Sequence, residues 1–297
     1  MSVKKTIFTG AGVALVTPVN ADLSVNYDKL RELVDWQIVN GTDAVIACGT
    51  TGEASTLTDE EHVKVIAETV KAVKGRVPVI AGTGSNDTAY ALELSLEAQK
   101  AGADALLLVT PYYNKTSQTG LIKHFIYLAD RVDLPVILYN VPSRTGMDIK
   151  PETYAKLAGH PNIVAVKEAN GKISEAAQTA LLCGDNLDLY VGNDDQITAF
   201  MALGAKGVIS VLSNVIPRQT HEMAAKLLAG DTAGSRALQL RYLKLINSLF
   251  IDTNPIPVKA AMNLMGFDVG GCRMPLCEMS GGDLATLESA MKEAGIL

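Results

Sequence analysis

The hydrophobic pattern along the chain alternates between short apolar runs and longer stretches with a helical period. Apolar residues in the longer stretches recur every three or four positions, which is typical of a helix with one buried face. The short runs are apolar throughout, which is typical of strands buried on both faces of a parallel sheet. The pattern predicts eight strands, at Val13–Thr17, Ala44–Cys48, Val79–Gly82, Ala105–Val109, Val136–Tyr139, Ile163–Lys167, Leu187–Val191 and Gly207–Leu212.

The stretches between the strands carry helix start and stop signals. Helices are predicted at Tyr27–Asn40, Asp59–Lys74, Thr88–Ala101 and Gln118–Arg131. Thr58 to Glu61 matches a capping box, and a glycine follows three of these helices, at Gly41, Gly75 and Gly102. The repeat from strand to strand is roughly 30 residues, the size of one βαβ unit.

Eight such units predict an α/β fold, a closed (β/α)8 TIM barrel. An open doubly wound sheet stays possible, because parallel strands alone do not report closure. We expect the barrel to occupy residues 1–230. Residues 231–297 carry no strand signal and predict a C-terminal domain of about three helices, which include Ser235–Ser248 and Asp283–Ala294.

Composition narrows the class of protein. The 297 residues are 48% hydrophobic and 20% charged, with a formal net charge of −6 and no basic block, so nothing predicts a nucleic-acid or anionic membrane partner. No apolar run reaches the ~18 residues of a membrane span, and Met1–Phe8 lacks an apolar signal core. We therefore expect a cytoplasmic protein. The four cysteines are scattered, which argues against a zinc site or a disulfide framework.

The run Ile163–Ala169 contains one lysine, Lys167, near its carboxyl end. A period of two predicts that Lys167 shares a face with Ile163 and Ala165. Burial favours the neutral amine of a lysine, which is a nucleophile for carbonyl groups, so Lys167 is a candidate Schiff-base lysine. The alternative is an ordinary lysine that reaches solvent from the strand end or pairs with Glu168.

Loops at the carboxyl ends of barrel strands form the active site of such folds. Several candidate groups follow four different strands: Lys167, the turn Gly49-Thr50-Thr51-Gly52-Glu53, Tyr112 and Tyr113, and Tyr139 with Arg144. A glycine-flanked turn can hold a carboxylate, a phenol can relay a proton, and an arginine can bind a carboxylate through two hydrogen bonds. Each group alone has an ordinary structural explanation. Their joint placement predicts condensation of an anionic keto acid.

Three of these segments resemble the dihydrodipicolinate synthase family of pyruvate-dependent class I aldolases. They are Gly-Thr-Thr-Gly-Glu at 49–53, Tyr-Asn-Val-Pro-Ser-Arg-Thr-Gly at 139–146 and the strand of Lys167. The resemblance covers nearly the whole chain. It implies condensation of pyruvate with L-aspartate 4-semialdehyde in lysine and diaminopimelate synthesis, without a metal or an organic cofactor, in a homotetramer built from two tight dimers.

The resemblance also implies a role for eight residues. They are Lys167 for the Schiff base, Tyr139 as proton donor and acceptor, Thr50 and Tyr113 as relay partners of Tyr139, Thr51 and Ile209 as pyruvate contacts, Gly192 in the pocket lining and Arg144 as the ligand of the semialdehyde carboxylate. Tyr113 is expected to enter from the neighbouring subunit.

Lysine-sensitive members of that family use a glutamate and histidines to bind the inhibitor. His62, Asn86 and Tyr112 match that pocket by position, whereas Asp59 and Tyr90 stand where a histidine and the glutamate are expected. Without that carboxylate the ammonium of lysine loses its partner, so we expect weak or absent inhibition.

Two other functions stay open. N-acetylneuraminate lyase and related pyruvate aldolases share the lysine and the tyrosine, although the threonine pair and Arg144 suit a short amino-aldehyde better. In a different class, the chain could be a barrel that serves only as a binding or structural protein.

Overall fold

The computed structural model describes residues 4–297, so Met1–Val3 of the N-terminal segment discussed above lie outside the described part. Eight parallel strands form a closed barrel in chain order. They are β1 Gly10–Ala14, β2 Ala44–Ala47, β3 Val79–Gly82, β4 Ala105–Val109, β5 Val136–Asn140, β6 Ile163–Glu168, β7 Asp188–Val191 and β8 Gly207–Ser210. Because β1 pairs with β8, the TIM-barrel prediction is confirmed and the open sheet is excluded.

The seam between β1 and β8 explains the largest error in the predicted strand bounds; the other strands match or differ by one or two residues at one end. We expected the first strand at Val13–Thr17, but it begins at Gly10 and ends at Ala14. Gly10 pairs with Gly207, and a Cβ on Gly207 would lie 2.0 Å from the carbonyl oxygen of Gly10. Only glycine allows this close approach, and a strand that starts with glycines has no apolar signal at its first residues.

Helices follow the strands around the outside of the barrel. They are α1 Tyr27–Val39, α2 Asp59–Val73, α3 Thr88–Lys100, α4 Gln118–Ala129, α5 Pro142–Thr145, α6 Pro151–Leu157, α7 Ile173–Cys183, α8 Ile197–Met201 and α9 Pro217–Leu228. The four helices predicted in detail begin at the expected residue and end one or two residues early. The capping box from Thr58 to Glu61 is present at α2.

Two hydrophobic clusters fill the molecule. The larger one lies between the strands and the surrounding helices, and the smaller one lies inside the barrel. At the amino-terminal end of the interior, the rings of Phe8 and Tyr190 stack with centres 4.4 Å apart. This end of the interior is therefore filled by side chains.

The alternation predicted for β6 is wrong at its first two residues. Val136 pairs with Ile163 whereas Ile137 pairs with Ala165, so the register shifts and Val164 has no partner of its own. Val164 packs inside the barrel with Ala165, and Ile163 packs in the outer cluster. A bulge of this kind resets which face each residue occupies. The shift precedes Ala165, so Lys167 still shares a face with Ala165, as predicted, and this is the inner face of the barrel.

Three further helices follow the barrel, α10 Thr232–Ser248, α11 Ile256–Leu264 and α12 Gly281–Ala294, as predicted for the C-terminal part. α10 packs on α9 and on α12. Leu245, Val258 and Leu287 belong to the same large cluster as the barrel core, so this part shares a core with the barrel. The domain boundary at residue 230 stays a prediction. In the described part of the chain, no helix combines the length and the apolar character that crossing a membrane requires.

Candidate active site

Lys167 lies on the inner face of β6, directly beside Tyr139 of β5, with which it pairs in register. Both residues are buried, at 6% and 7% exposure. Lys167 Nζ lies 4.4 Å from the centre of the Tyr139 ring. A cation at this distance is attracted to the ring face, whereas the neutral amine is a nucleophile next to a phenol. Lys167 therefore does not reach bulk solvent.

Glu168, the next residue on β6, points to the other face of the strand. Its carboxylate accepts hydrogen bonds from Asn140 Nδ2 (3.0 and 3.2 Å), the Tyr154 hydroxyl (2.8 Å) and the Asn170 backbone N–H (2.9 Å). Burial raises the pKa of Glu168 to about 7, although these hydrogen bonds oppose the shift. The carboxylate is therefore bound by groups outside the barrel, which removes the alternative that Glu168 is the partner of Lys167.

A cavity of about 570 Å3 opens at the carboxyl end of the barrel. Its walls include Thr50, Tyr139, Arg144 and Asn254. A larger cavity, about 840 Å3, lies at the opposite end of the barrel around Lys4 and other residues of the amino-terminal face. Because the polar groups of the first cavity come from different strands and meet beside Lys167, we take it as the candidate active site.

Residues 49–53 form a tight turn after β2, which we call the threonine turn. Cys48 and Glu53, at its two ends, have left-handed backbone angles (φ 54° for both). Thr51 is 2% exposed, and its Oγ1 accepts a hydrogen bond from Asn254 Nδ2 at 3.0 Å. The carbonyl of Gly52 accepts one from Thr17 Oγ1 at 2.7 Å. The turn is therefore fixed by surrounding side chains.

Arg144 lies on α5 and lines the same cavity. One of its terminal nitrogens donates to the backbone carbonyl of Asn254 at 2.8 Å. A guanidinium has five N–H donors, so this contact orients the side chain and leaves donors for a ligand. The structure thus brings Thr50, Tyr139 and Arg144 into one cavity, and Tyr139 is the wall residue that contacts Lys167. Thr51 is linked to the same cavity through Asn254.

The other three predicted residues differ in their placement. Ile209 is fully buried inside the barrel on β8. Gly192 follows β7, and a Cβ there would lie 2.7 Å from the Cβ of Ala169, so the site requires glycine. Tyr113 is 90% exposed, has a positive φ of 66°, and lies outside the walls of its own chain's cavity.

Sequence reasoning missed Asp194, which is 1% exposed at the start of the short helix that follows Gly192. Its Oδ2 accepts from the backbone N–H groups of Val211 and Leu212 (3.0 and 2.9 Å). Burial raises the pKa of Asp194, and hydrogen bonds together with the charge of Lys167 oppose the shift.

Asn254 and Lys259 were missed as well. Both are buried, at 6% and 1% exposure; Asn254 lies just before α11 and Lys259 lies in its first turn. The local sequence is Asn-Pro-Ile-Pro-Val-Lys, which predicts an interruption between two helices and the start of the second helix. The packing of this segment against the threonine turn is a long-range contact and has no local signal.

Among residues 4–297, no group of three or more histidine, cysteine, aspartate or glutamate side chains is arranged to hold a metal ion. The polar side chains that line the cavity include the hydroxyls of Thr50 and Tyr139, the amide of Asn254 and the guanidinium of Arg144.

A family model described as the dihydrodipicolinate synthetase family matches residues 7–294. The chain belongs to the dihydrodipicolinate synthetase family. It is 59% identical over 292 residues to the 4-hydroxy-tetrahydrodipicolinate synthase of Lachnoclostridium phytofermentans, a match that covers 98% of this chain and 99% of the relative. It is 55% identical, with 98% of each chain covered, to the enzyme of the same name from Thermoanaerobacter sp. (strain X514).

Among solved structures of the dihydrodipicolinate synthetase family, the chain is similar to the chloride-inhibited dihydrodipicolinate synthase from Acinetobacter baumannii, which was solved in complex with pyruvate. The two are 44% identical, with a TM-score of 0.96 over 98% of this chain and all of that one. The likeness extends through the C-terminal helices.

Proposed function

We propose that the chain is a lyase that condenses pyruvate with L-aspartate 4-semialdehyde, the 4-hydroxy-tetrahydrodipicolinate synthase step of lysine and diaminopimelate synthesis. The observation that carries the proposal is the buried Lys167 amine beside the Tyr139 phenol, at the end of a cavity lined by hydroxyls and an arginine. The name shared by relatives that are 59% and 55% identical over nearly the full length supports it.

In the proposed reaction, neutral Lys167 attacks the ketone carbon of pyruvate and water leaves to give an iminium ion. The iminium draws electrons from the neighbouring methyl group, which loses a proton and becomes the nucleophilic carbon of an enamine. The enamine attacks the aldehyde of the second substrate. The amine of that substrate then closes the ring and displaces Lys167, so the enzyme returns to its starting state without a metal or organic cofactor.

Tyr139 is the proposed acid and base for these proton transfers, because its phenol ring contacts Lys167 Nζ and its side chain lines the cavity. Thr50 lines the same cavity and would pass protons to or from Tyr139. Tyr113 lies outside its own chain's cavity, so its proposed part in the relay requires a neighbouring subunit.

Two groups are proposed for the two substrate carboxylates. The threonine turn, with the Thr51 hydroxyl, would hold the carboxylate of pyruvate close to Lys167, with Ile209 and Gly192 shaping the pocket. Arg144, at the cavity wall and oriented by Asn254, would hold the carboxylate of the semialdehyde.

We propose a homotetramer made of two tight dimers. Apolar side chains are exposed in several regions, and two of these support two kinds of interface. One region holds Tyr112 and Tyr113, 37% and 90% exposed. The other holds Ile173, Leu181 and Leu182 of α7 with Leu203, at 37 to 82% exposure. The cytoplasmic location stays a prediction.

The test is borohydride trapping with pyruvate, followed by intact and peptide mass spectrometry, on the native protein and on Lys167→Ala. We expect a reduced pyruvate adduct on Lys167 that is absent from the variant. A substrate panel then separates the aldehyde partners: turnover of a sugar acid with no turnover of the semialdehyde would favour the N-acetylneuraminate lyase type. Absence of any adduct in the native protein would reject the aldolase and favour a barrel that only binds.

A further inference from the structure

The threonine turn is tied to the C-terminal part of the chain by three contacts. Asn254 Nδ2 donates to Thr51 Oγ1 (3.0 Å), Lys259 Nζ donates to Glu53 Oε1 (2.7 Å), and the Arg273 backbone N–H donates to Glu53 Oε2 (2.9 Å). The partners are 203 to 220 residues apart in sequence. The C-terminal helices therefore reach the active-site end of the barrel and contact a predicted substrate-binding segment directly.

The contact between Lys259 and Glu53 is a fully buried ion pair. Their side chains are 2% and 3% exposed, and Lys259 also donates to the backbone carbonyls of Thr17 and Gly271. Buried ion pairs are costly to desolvate and are seldom explained by stability alone, whereas they fix a specific geometry well. Glu53 has a left-handed backbone angle (φ 54°), which is uncommon for this residue type. The pair holds the end of the turn in that conformation.

Asn254 orients both carboxylate-binding elements. A threonine hydroxyl has one hydrogen to donate and two lone pairs that accept. Because Thr51 Oγ1 already accepts from Asn254, its own hydrogen stays available for a second acceptor, such as a carboxylate oxygen. The backbone carbonyl of Asn254 meanwhile accepts from Arg144 at 2.8 Å.

We propose that Asn254 and Lys259 are positioning residues for the pyruvate carboxylate. Asn254 directs the Thr51 hydroxyl hydrogen toward the substrate, and Lys259 acts through Glu53 to fix the backbone N–H groups of the threonine turn. The C-terminal helices are then a part of the substrate site. The inference rests on the proposed function, since it requires that pyruvate binds at Lys167.

The first test concerns Asn254 and uses pyruvate alone. The amount of borohydride-trapped adduct is measured against pyruvate concentration, which reports binding without the second substrate. Asn254→Ala is expected to raise the half-saturating pyruvate concentration about tenfold, the effect of one hydrogen bond to a charged group. Asn254→Asp is expected to raise it further, because Thr51 would then donate to Asp and the added charge would repel the substrate.

The second test separates positioning from folding. Glu53→Gln and Lys259→Met each leave one buried charge or donor without its partner, and both are expected to lower the melting temperature. The double variant removes both charges and is expected to melt above either single variant but below the native protein, because the carbonyls of Thr17 and Gly271 lose their donor. If the pair positions the turn, the double variant still needs several-fold more pyruvate for half-saturation. A folded double variant with native pyruvate binding would overturn the role of Lys259.

Glu61→Gln is the matched control. The Arg273 guanidinium donates to both carboxylate oxygens of Glu61, each at 2.6 Å. Glu61 therefore also links the C-terminal part to the barrel, but it lies ten residues after Thr51, outside the threonine turn. We expect it to lower stability and leave pyruvate trapping unchanged. If Asn254→Ala and the double variant both trap pyruvate like the native protein, the positioning proposal fails while the aldolase stands. If the native protein traps no pyruvate, the proposed function fails, and this inference with it.

Discussion

Asn140 donates its side-chain amide to both carboxylate oxygens of Glu168, at 3.0 and 3.2 Å. These two residues pair in register directly after Tyr139 and Lys167, on the opposite face of the same two strands. One face of β5 and β6 thus carries the proposed acid–base and nucleophile, and the other carries a buried hydrogen-bond pair. The pair therefore links β5 and β6 through their side chains, one residue beyond Tyr139 and Lys167.

The raised pKa of Glu168 predicts a stability that depends on pH. Burial raises it from 4.5 to about 7, so between these values the folded chain binds more protons than the unfolded chain. The free energy of unfolding therefore falls as pH rises from about 4.5 to 7, and by linkage this group alone accounts for about 3 kcal/mol. Glu168→Gln removes the titration, so the variant is expected to lose this part of the slope.

The measurement is urea unfolding between pH 5 and pH 8.5 for the native protein and for Glu168→Gln. Glu152→Gln, an exposed glutamate on α6, is the control. The difference in stability between Glu168→Gln and the native protein should shift in favour of the variant as pH rises. A difference that is the same at pH 5.5 and pH 8 would contradict the assignment.

The barrel and its strand order could be predicted because each depends on local patterns that recur eight times. The exceptions have physical causes. Gly10 begins β1 without an apolar signal, and the bulge at Val164 depends on pairing with β5. Both are set by contacts between strands, and a single strand's sequence does not contain them.

For the candidate site, the structure bears on where the predicted residues lie, and their roles stay predictions. Lys167, Tyr139 and Arg144 could be placed because they follow strand signals and match family motifs. Asn254 and Lys259 could not, because their partners lie in the threonine turn some 200 residues earlier in sequence. A buried lysine that serves an ion pair and a buried lysine that serves catalysis look alike until their neighbours are known.

Removing the Tyr139 hydroxyl should separate binding from proton transfer. Tyr139→Phe keeps the ring beside Lys167 and loses the acid and base, so we expect kcat to fall about 10²- to 10⁴-fold. The condensation rate is measured in stopped assays. Tyr154→Phe is the control, because it removes a phenol hydroxyl that lies outside the barrel. A Tyr139→Phe variant with native kcat would exclude the phenol from the proton transfers.

The contact between Asp59 and Tyr90 bears on lysine inhibition. The Tyr90 hydroxyl donates to Asp59 Oδ1 at 2.5 Å, and burial together with this carboxylate raises the pKa of Tyr90 to about 12. The neutral Tyr90 phenol, which donates to Asp59, carries no negative charge that could pair with the ammonium group of lysine. We therefore expect lysine to inhibit weakly or not at all, and Tyr90→Glu to increase the inhibition. Strong inhibition of the native protein at micromolar lysine would contradict this.

The position of Tyr113 predicts that active sites are shared between subunits. Tyr113 is 90% exposed and lies outside the cavity of its own chain, so its proposed relay partner is the Tyr139 of a neighbouring subunit. Tyr113→Phe alone should lower activity, and Lys167→Ala alone should abolish it. When both variants are co-expressed, mixed dimers contain one site that has Lys167 from one chain and Tyr113 from the other.

That site is complete, so the mixed protein should regain activity well above the sum of the two separate variants. The measurement is the condensation rate of differently tagged chains purified as mixed dimers. Lys167→Ala mixed with Tyr139→Phe is the matched control, because both residues lie in one chain's cavity and mixing restores no site. If the mixture of Lys167→Ala and Tyr113→Phe is no more active than this control, Tyr113 does not act across a subunit interface.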